Sequence, residues 1–537
     1  MKSVMSHNFS VVPSAEIQRS QFDRSHGYKT TFDAGLLIPF FWDEVIPGDT
    51  HNLQVNTLAR LATPLVPIMD NMFADTHFFF VPTRLVWDNW ERFNGAQDNP
   101  DDTTDYTIPV LNYIKGGNYL HVQTGETGDY MGLPIGTLAD ASNHNPISAL
   151  PFRCINLIWN EWFRDENLQD SIVVDKDDGP DDYDDYKTVR RRGKRYDYVT
   201  SSLPWPQKGD AVTLPLGTTA PVLRTTNASA WEWYKSGTNT VAATGIPTMV
   251  KPVAATFLAD NGTGNALSAD PKGGLYTDLT NATAATINSI REAFQIQRLL
   301  ERDARGGTRY VELLLAHFGV TAPDFRLQRP EYLGGGSTKI NINPVAQTSS
   351  TDATTPQGNL AGFGTFAHHG RNGFVKSFVE HGYIIGFISV RADLNYQERI
   401  DRAWSRRTRY DFYWPALSHL GEQEVLNKEV VLDTANAAKW DQVWGYQERY
   451  AEYRYKTSQI TGLFRSAAYG TLDFWHLAQN FAGVTPTLGD TFIQENPPVD
   501  RVIAVSSEPH FILDAYFNYK SARPMPTYSV PGYIDRF

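Results

Sequence analysis

Apolar and polar positions alternate most regularly near the end of the chain, where Phe511, Leu513, Ala515, Phe517 and Tyr519 take turns with His510, Asp514, Asn518 and Lys520. Successive side chains of a strand point to opposite faces, so this period of two predicts a strand with one buried face. Gly382–Val390 is apolar almost throughout and predicts a strand buried on both faces. Two earlier strands are expected at Thr30–Pro39, closed by its proline, and at Asp75–Pro82.

Helical spacing appears between these runs. Thr83 reads as the cap of a helix that carries Val86, Trp90 and Phe93 on one face. Pro151 opens a second, with Phe152, Ile155, Trp159 and Trp162 three and four apart. A third runs from Ile287 to Ala304 with Ile290, Phe294 and Leu300 facing inward. Thr308–Phe318 makes a fourth, stopped by Gly319, so the last two predict a hairpin beside the sheets. Residues 216–286 turn to Thr, Ala, Gly and Asn without a sustained period and read as an inserted surface loop. Residues 1–29 look like a polar arm. The segment 521–537 holds Pro524, Pro526 and Pro531, whose missing donors exclude a sheet interior, and is expected to run as an extended tail on a neighbouring molecule. Few strong strands, long insertions and no recurring strand–turn–helix unit predict a mainly β sandwich with helical excursions, a single domain over 30–537.

Charged residues make up 20% of the chain, below the roughly 25% of an average soluble protein, while aromatics reach 13%, so apolar surface is expected to meet neighbours. The sharpest case is Tyr446–Lys456. Tyr446, Tyr450, Tyr453 and Tyr455 alternate there with Arg449 and Arg454, residue types that protein interfaces favour, and copies of the chain itself are the expected partner. A net charge of −12 argues against nucleic acid wrapping the whole surface. No apolar run reaches the roughly 18 residues of a membrane span, and Met1–Pro13 lacks the centre of a signal peptide, so a soluble cytosolic product is expected, without membrane contact. Cys154 stands alone and reads as a buried thiol.

Candidate chemistry is sparse. Asp175–Asp185 is acidic but fails the EF-hand spacing, and Arg190–Arg195 follows with the opposite charge; the pair reads as a solvated loop or as complementary interface patches. Arg402, Arg406, Arg407 and Arg409 interleave with Trp404 and Tyr410, a combination suited either to single-stranded nucleic acid or to carboxylates of a neighbouring subunit. His368 and His369 are adjacent and point to opposite faces on a strand, which disfavours joint metal ligation. Glu448 and Glu452 would share a helix face and allow an alternative, a β-sandwich carbohydrate-active enzyme or sugar-binding protein. No phosphate loop, HExxH or GxSxG occurs, and no catalytic residue, cofactor or metal is assigned.

Ile17–His26, Lys29–Phe32, Asp43–Thr50, Arg326–Gly335, Arg391–Leu394, Tyr446–Lys456 and Arg523–Gly532 together resemble the major capsid proteins of gokushoviruses, small single-stranded DNA phages of the Microviridae. The resemblance spans nearly the whole chain. It implies a viral jelly roll of eight strands in a double Greek key. It also implies a T=1 icosahedral shell around circular single-stranded DNA, assembled in the bacterial cytoplasm. Tyr446, Arg449, Tyr450, Tyr453, Arg454, Tyr455, Pro524, Pro526 and Tyr528 would then lie between subunits. Implied partners are the packaged DNA, a small basic DNA-packaging protein, a minor or pilot capsid protein and a bacterial surface receptor. The insertion at 216–286 matches the expected place of a variable protrusion, where Trp231, Trp233 and Tyr234 are candidates either for receptor contact or for a local core.

Overall fold

The computed structural model describes residues 18–528 apart from 113, 116–117, 139–145, 347, 349–350 and 352–357; within 213–286 it describes only the backbone of 222–224, 232–235, 241–244, 267–269 and 275–277. Two antiparallel sheets carry the fold. Their strands are β1 (His26–Phe32), β2 (Ile38–Val45), β3 (Thr50–Leu61), β4 (Met72–Pro82), β5 (Glu331–Lys339), β6 (Leu360–Ser377), β7 (Gly382–Ala392) and β8 (Phe511–Arg523). The first sheet runs β1-β8-β3-β6, extended by Asn341–Ala346 outside β6 and by Ser20–Asp23 further along β8. The second runs β5-β4-β7-β2. Strands next to each other in sequence change sheets at every step except β4 to β5, which is the order of a jelly roll built from two Greek keys.

The inner faces pack large aromatic side chains. Phe40 of β2 meets Phe517 of β8 with centroids 5.2 Å apart, and Phe78 of β4 meets Phe374 of β6 at 5.8 Å, so rings from both sheets interlock. The alternation read in β8 is borne out: its odd positions from Phe511 to Tyr519 are buried. β7 is buried along its whole length because the second sheet is covered twice. On its outer side Phe79, Ile385 and Phe387 pack with Phe152, Ile155 and Trp159, carried by α1 (Leu150–Ile158) and the single π turn that extends it, Trp159–Phe163. Cys154 is buried on that helix, and burial pushes its thiol far up.

Two excursions leave this frame. Between β4 and β5 the chain forms α1, then α2 (Ile287–Gly306) and α3 (Tyr310–Phe318), which Gly319 ends at φ 68°. Contacts divide the chain into a larger unit, residues 1–206 with 303–537, and a smaller unit, residues 207–302, which encloses the 216–286 insertion. The second excursion, residues 393–510, joins β7 to β8 and is mostly loop and short 3-10 turns.

Several expectations need correction. Residues 20–29 are not a free arm: Ser20–Asp23 and β1 both hydrogen-bond along β8. Pro39 does not close a strand but lies inside β2, where it is tolerated because β2 is an edge strand and the ladder breaks register between Gly386 and Phe387 opposite it. The helix expected from Thr83 is interrupted into a 3-10 turn, Thr83–Leu85, and one short helix, Trp90–Phe93. Phe294 is 68% exposed rather than inward. The charge runs at 175–195 are solvated only in part: Asp177, Asp178, Asp184, Asp185 and Arg195 are exposed, while other members turn inward. Asp181 and Arg153 form a buried ion pair at 2.5 Å, Arg192 reaches Asp75 at 2.6 Å, and Lys194 reaches Gln479 at 2.7 Å. Arg191, Arg192 and Lys194 of the basic run are therefore held inside the subunit, while Arg195 stays exposed.

Candidate subunit interface and nucleic-acid surface

The excursion between β7 and β8 contains the tyrosine–arginine stretch singled out in the sequence. Val443–Glu448 is a strand paired with Glu422–Leu426, and a 3-10 turn, Ala451–Tyr453, follows. Between them Tyr450 adopts a left-handed backbone, φ 63°, which turns the chain and points its ring inward. Tyr450 is only 3% exposed, and its amide donates to Gln423 Oε1 at 3.2 Å. Tyr446 and Arg449 are half-buried, whereas Tyr453, Arg454 and Tyr455 are exposed. Tyr450 is thus a support within its own subunit, a correction to its expected place between subunits.

The arginines of 402–409 divide in two. Arg402 donates to Glu429 Oε1 at 2.9 Å and to the Glu424 carbonyl at 2.6 Å. Glu429 is fully buried, accepts from Tyr198 OH at 2.7 Å, and has its carboxyl pushed up by burial against the pull of Arg402. Arg406 lies 4.2 Å from the Tyr453 ring centroid and 3.4 Å from Glu452, which also accepts from Gln423 at 2.7 Å. These two cations are neutralised by carboxylates of their own subunit, where phosphate or a neighbouring subunit's carboxylates are the two readings of the sequence. Arg407 and Arg409 are exposed, and Arg409 packs beside Tyr410 and Trp414 at 5.5 and 5.4 Å. Asp411 shapes this loop by accepting from the amides of Arg407 and Thr408 at 2.8 and 2.7 Å, bonds that hold its carboxyl below the usual range.

Glu448 and Glu452 do not share a helix. Glu448 ends a strand and pairs with Arg454, while Glu452 is held by Arg406 and Gln423, so each carboxylate is engaged by its own cation and the two do not form a helix-borne pair. His368 lies in β6 just before its break in register, with Nδ1 3.2 Å from Thr338 Oγ1. Among the described residues no cluster of three metal-ligating side chains occurs.

What remains is a set of exposed aromatic side chains. Trp404 is 85% exposed, and Tyr410, Phe412, Tyr413, Trp414, Tyr453 and Tyr455 are each about half exposed or more, with Tyr413 and Tyr453 in ring contact at 6.3 Å. Tyr413 meets Tyr450 edge-on at 5.3 Å, so the buried ring props the exposed ones. Phe412, Tyr413 and Trp414 escaped the sequence reading, although the aromatic density that flagged 446–456 is just as high there. At the end of the chain the Pro524 ring lies against the turn at Gly48, while Pro526 and Tyr528 are exposed. Trp231 lies outside the described residues, as do the side chains of Trp233 and Tyr234. No described helix is long and apolar enough to cross a membrane.

Residues 10–533 match a family described as capsid protein (F protein). The chain is 48% identical to the capsid protein VP1 of Bdellovibrio phage phiMH2K, covering 99% of this chain and 98% of that protein. It is 45% identical to the capsid protein VP1 of Chlamydia phage 1, over 99% and 98% of the two chains. Identity to the capsid protein VP1 of Spiroplasma virus 4 is 35%, over 98% and 97%.

Proposed function

This chain belongs to the capsid protein (F protein) family and is a structural subunit of a small bacteriophage capsid, and on that premise we propose that its copies close a T=1 icosahedral shell around circular single-stranded DNA. The observation that carries the reading is the set of exposed aromatic side chains at 404–414 with Tyr453 and Tyr455. Exposed aromatic surface of this density is costly on a lone molecule and is the composition of an interface core. A sheet sandwich offers rigid sides, and heterologous contacts between such sides close into rings around symmetry axes.

In this reading Tyr446, Arg449, Tyr453, Arg454 and Tyr455, with Pro524, Pro526 and Tyr528 of the tail, lie between subunits. Arg407 and Arg409 remain available to phosphate. A small basic packaging protein would offset the subunit charge of −12 against the genome, and a minor or pilot protein and a bacterial receptor complete the partners. Trp231, Trp233 and Tyr234 are the receptor candidates, and assembly takes place in the host cytoplasm. The work of the chain is geometric, and no reaction is assigned to it.

The test is a double variant, Trp404→Ser with Tyr455→Ser. Both side chains are exposed, so the subunit should melt as the parent does while particle yield falls at least tenfold by sedimentation. Undiminished particles would reject this aromatic surface as an interface.

A further inference from the structure

A buried lysine, a buried carboxyl group and a side-chain amide share one small cavity where residue 194 meets the 393–510 excursion. Lys194 is 7% exposed; its Nζ donates to Gln479 Oε1 at 2.7 Å and lies 4.1 Å from the Phe492 ring centroid. Glu495 is 3% exposed and follows the short helix Asp490–Ile493. With Gln479 and Phe492 they line a cavity of about 20 Å³ walled by Leu394, Leu477 and Phe481, room for roughly one water-sized molecule. A lysine buried this deeply is normally paired with a carboxylate, whereas this one bonds to a neutral amide.

Each of the three groups is set for a different part in one reaction. Burial brings the Lys194 amine from 10.5 down to about 8, so far more of it is uncharged and nucleophilic at neutral pH than of an ordinary lysine. Burial also raises the Glu495 carboxyl above its ordinary range, against the Ala392 amide and the charges of Lys194, Arg192 and Arg391. A carboxyl group that holds its proton beside an amine can give that proton up and take another. Gln479 is fixed in place: its Nε2 donates to the Asn496 carbonyl at 3.2 Å, and its own main-chain carbonyl accepts from Gln397 Nε2 at 3.0 Å. Its Cδ is one bond beyond the oxygen that Lys194 already touches, so the amine starts close to the carbon it would attack.

We propose that Lys194 and Gln479 join in an intramolecular isopeptide bond, with Glu495 carrying the protons. The lone pair of Nζ adds to Cδ, and Glu495 protonates the amide as the carbonyl opens. The carboxylate then takes a proton from Nζ, the Cδ–Nε2 bond breaks, and the nitrogen leaves as ammonia. One C–N bond forms and one breaks, nothing is oxidised or reduced, and Glu495 ends as it began. The step happens once per chain and is no turnover. A dry cavity with room for little more than the departing ammonia keeps water from competing for Cδ. The product ties together positions 285 apart in a chain whose single cysteine excludes an internal disulfide, and a closed loop of that length restricts the unfolded chain.

The test is peptide mapping by mass spectrometry of the full-length purified chain and of intact particles. After denaturation and trypsin, residues 193–195 should appear joined to residues 466–501, at the summed mass of the two peptides less one ammonia. The joined peptide should be absent from Lys194→Met and from Glu495→Gln, which keeps the size of the side chain and removes its acid. In a reducing, denaturing gel the parent should run ahead of Lys194→Met, because a closed loop is more compact than an open chain. Recovery of the two parent peptides separately and at full mass would overturn the proposal, and so would Gln479 joined to a different lysine. The parent alone decides the bond, so a variant that fails to fold leaves the test standing. A bond that forms undiminished in Glu495→Gln would overturn the part given to Glu495.

Discussion

Arg153 shows how this subunit handles charge. Its guanidinium is fully buried, donates to Asp181 through both Nε and Nη2 at 2.7 and 2.5 Å, and reaches the carbonyls of Val86 and Asp177 at 2.9 Å. Removing one partner of such a pair strands the other in a medium that cannot solvate it. Arg153→Met should therefore cost roughly 3–5 kcal/mol in denaturant unfolding of the unassembled subunit. His77 supplies a pH dependence. Burial, reinforced by Arg192, lowers its pKa from 6.5 to about 4. The unfolded chain then takes up a proton below pH 6.5 that the folded chain refuses, so this contribution is intact above pH 6.5 and is lost as pH falls toward 4. Melting temperature should drop across that window, and His77→Gln should flatten the drop. The residue scale was the least legible in the sequence. Arg192 and Asp75 stand 117 positions apart and Tyr198 and Glu429 stand 231 apart, and no local pattern announces such partners. A run such as Arg190–Arg195 looks solvated until the carboxylates that surround it are known.

Strands and helices were more legible, because their periods are properties of neighbouring residues. The alternation in β8 and the unbroken apolar run of β7 survived intact, since each reports directly on how many faces are covered. Local rules failed where the sheet overruled them. Pro39 is permitted by an edge position that only the strand order reveals, and Phe294 follows a helical period without a core to enter. The glycines of β6 are another case. A methyl group at Gly373 would sit 1.9 Å from the Leu53 carbonyl oxygen in β3, so the two backbones approach closely only because no side chain intervenes. Gly373→Ala should break the β3–β6 ladder, which would appear as a loss of soluble subunit and of strand signal in circular dichroism.

At the scale of the molecule, the jelly roll is a platform and the excursions between β4 and β5 and between β7 and β8 supply its surfaces. Composition already indicated a chain that meets neighbours, and the resemblance over blocks from end to end indicated which kind. Which surface serves which partner was not legible, because Tyr450 and Tyr453 are the same residue type three positions apart, one buried and one exposed. The central claim is that the exposed aromatic side chains of 404–414 with Tyr453 and Tyr455 are covered only by other copies of this chain. Electron microscopy of the purified chain at assembly concentrations tests it most directly. The account predicts uniform small closed particles, with Trp404, Tyr453 and Tyr455 buried between subunits in their reconstruction. A field of dispersed 60.4 kDa molecules, or particles in which those side chains face solvent, would contradict it.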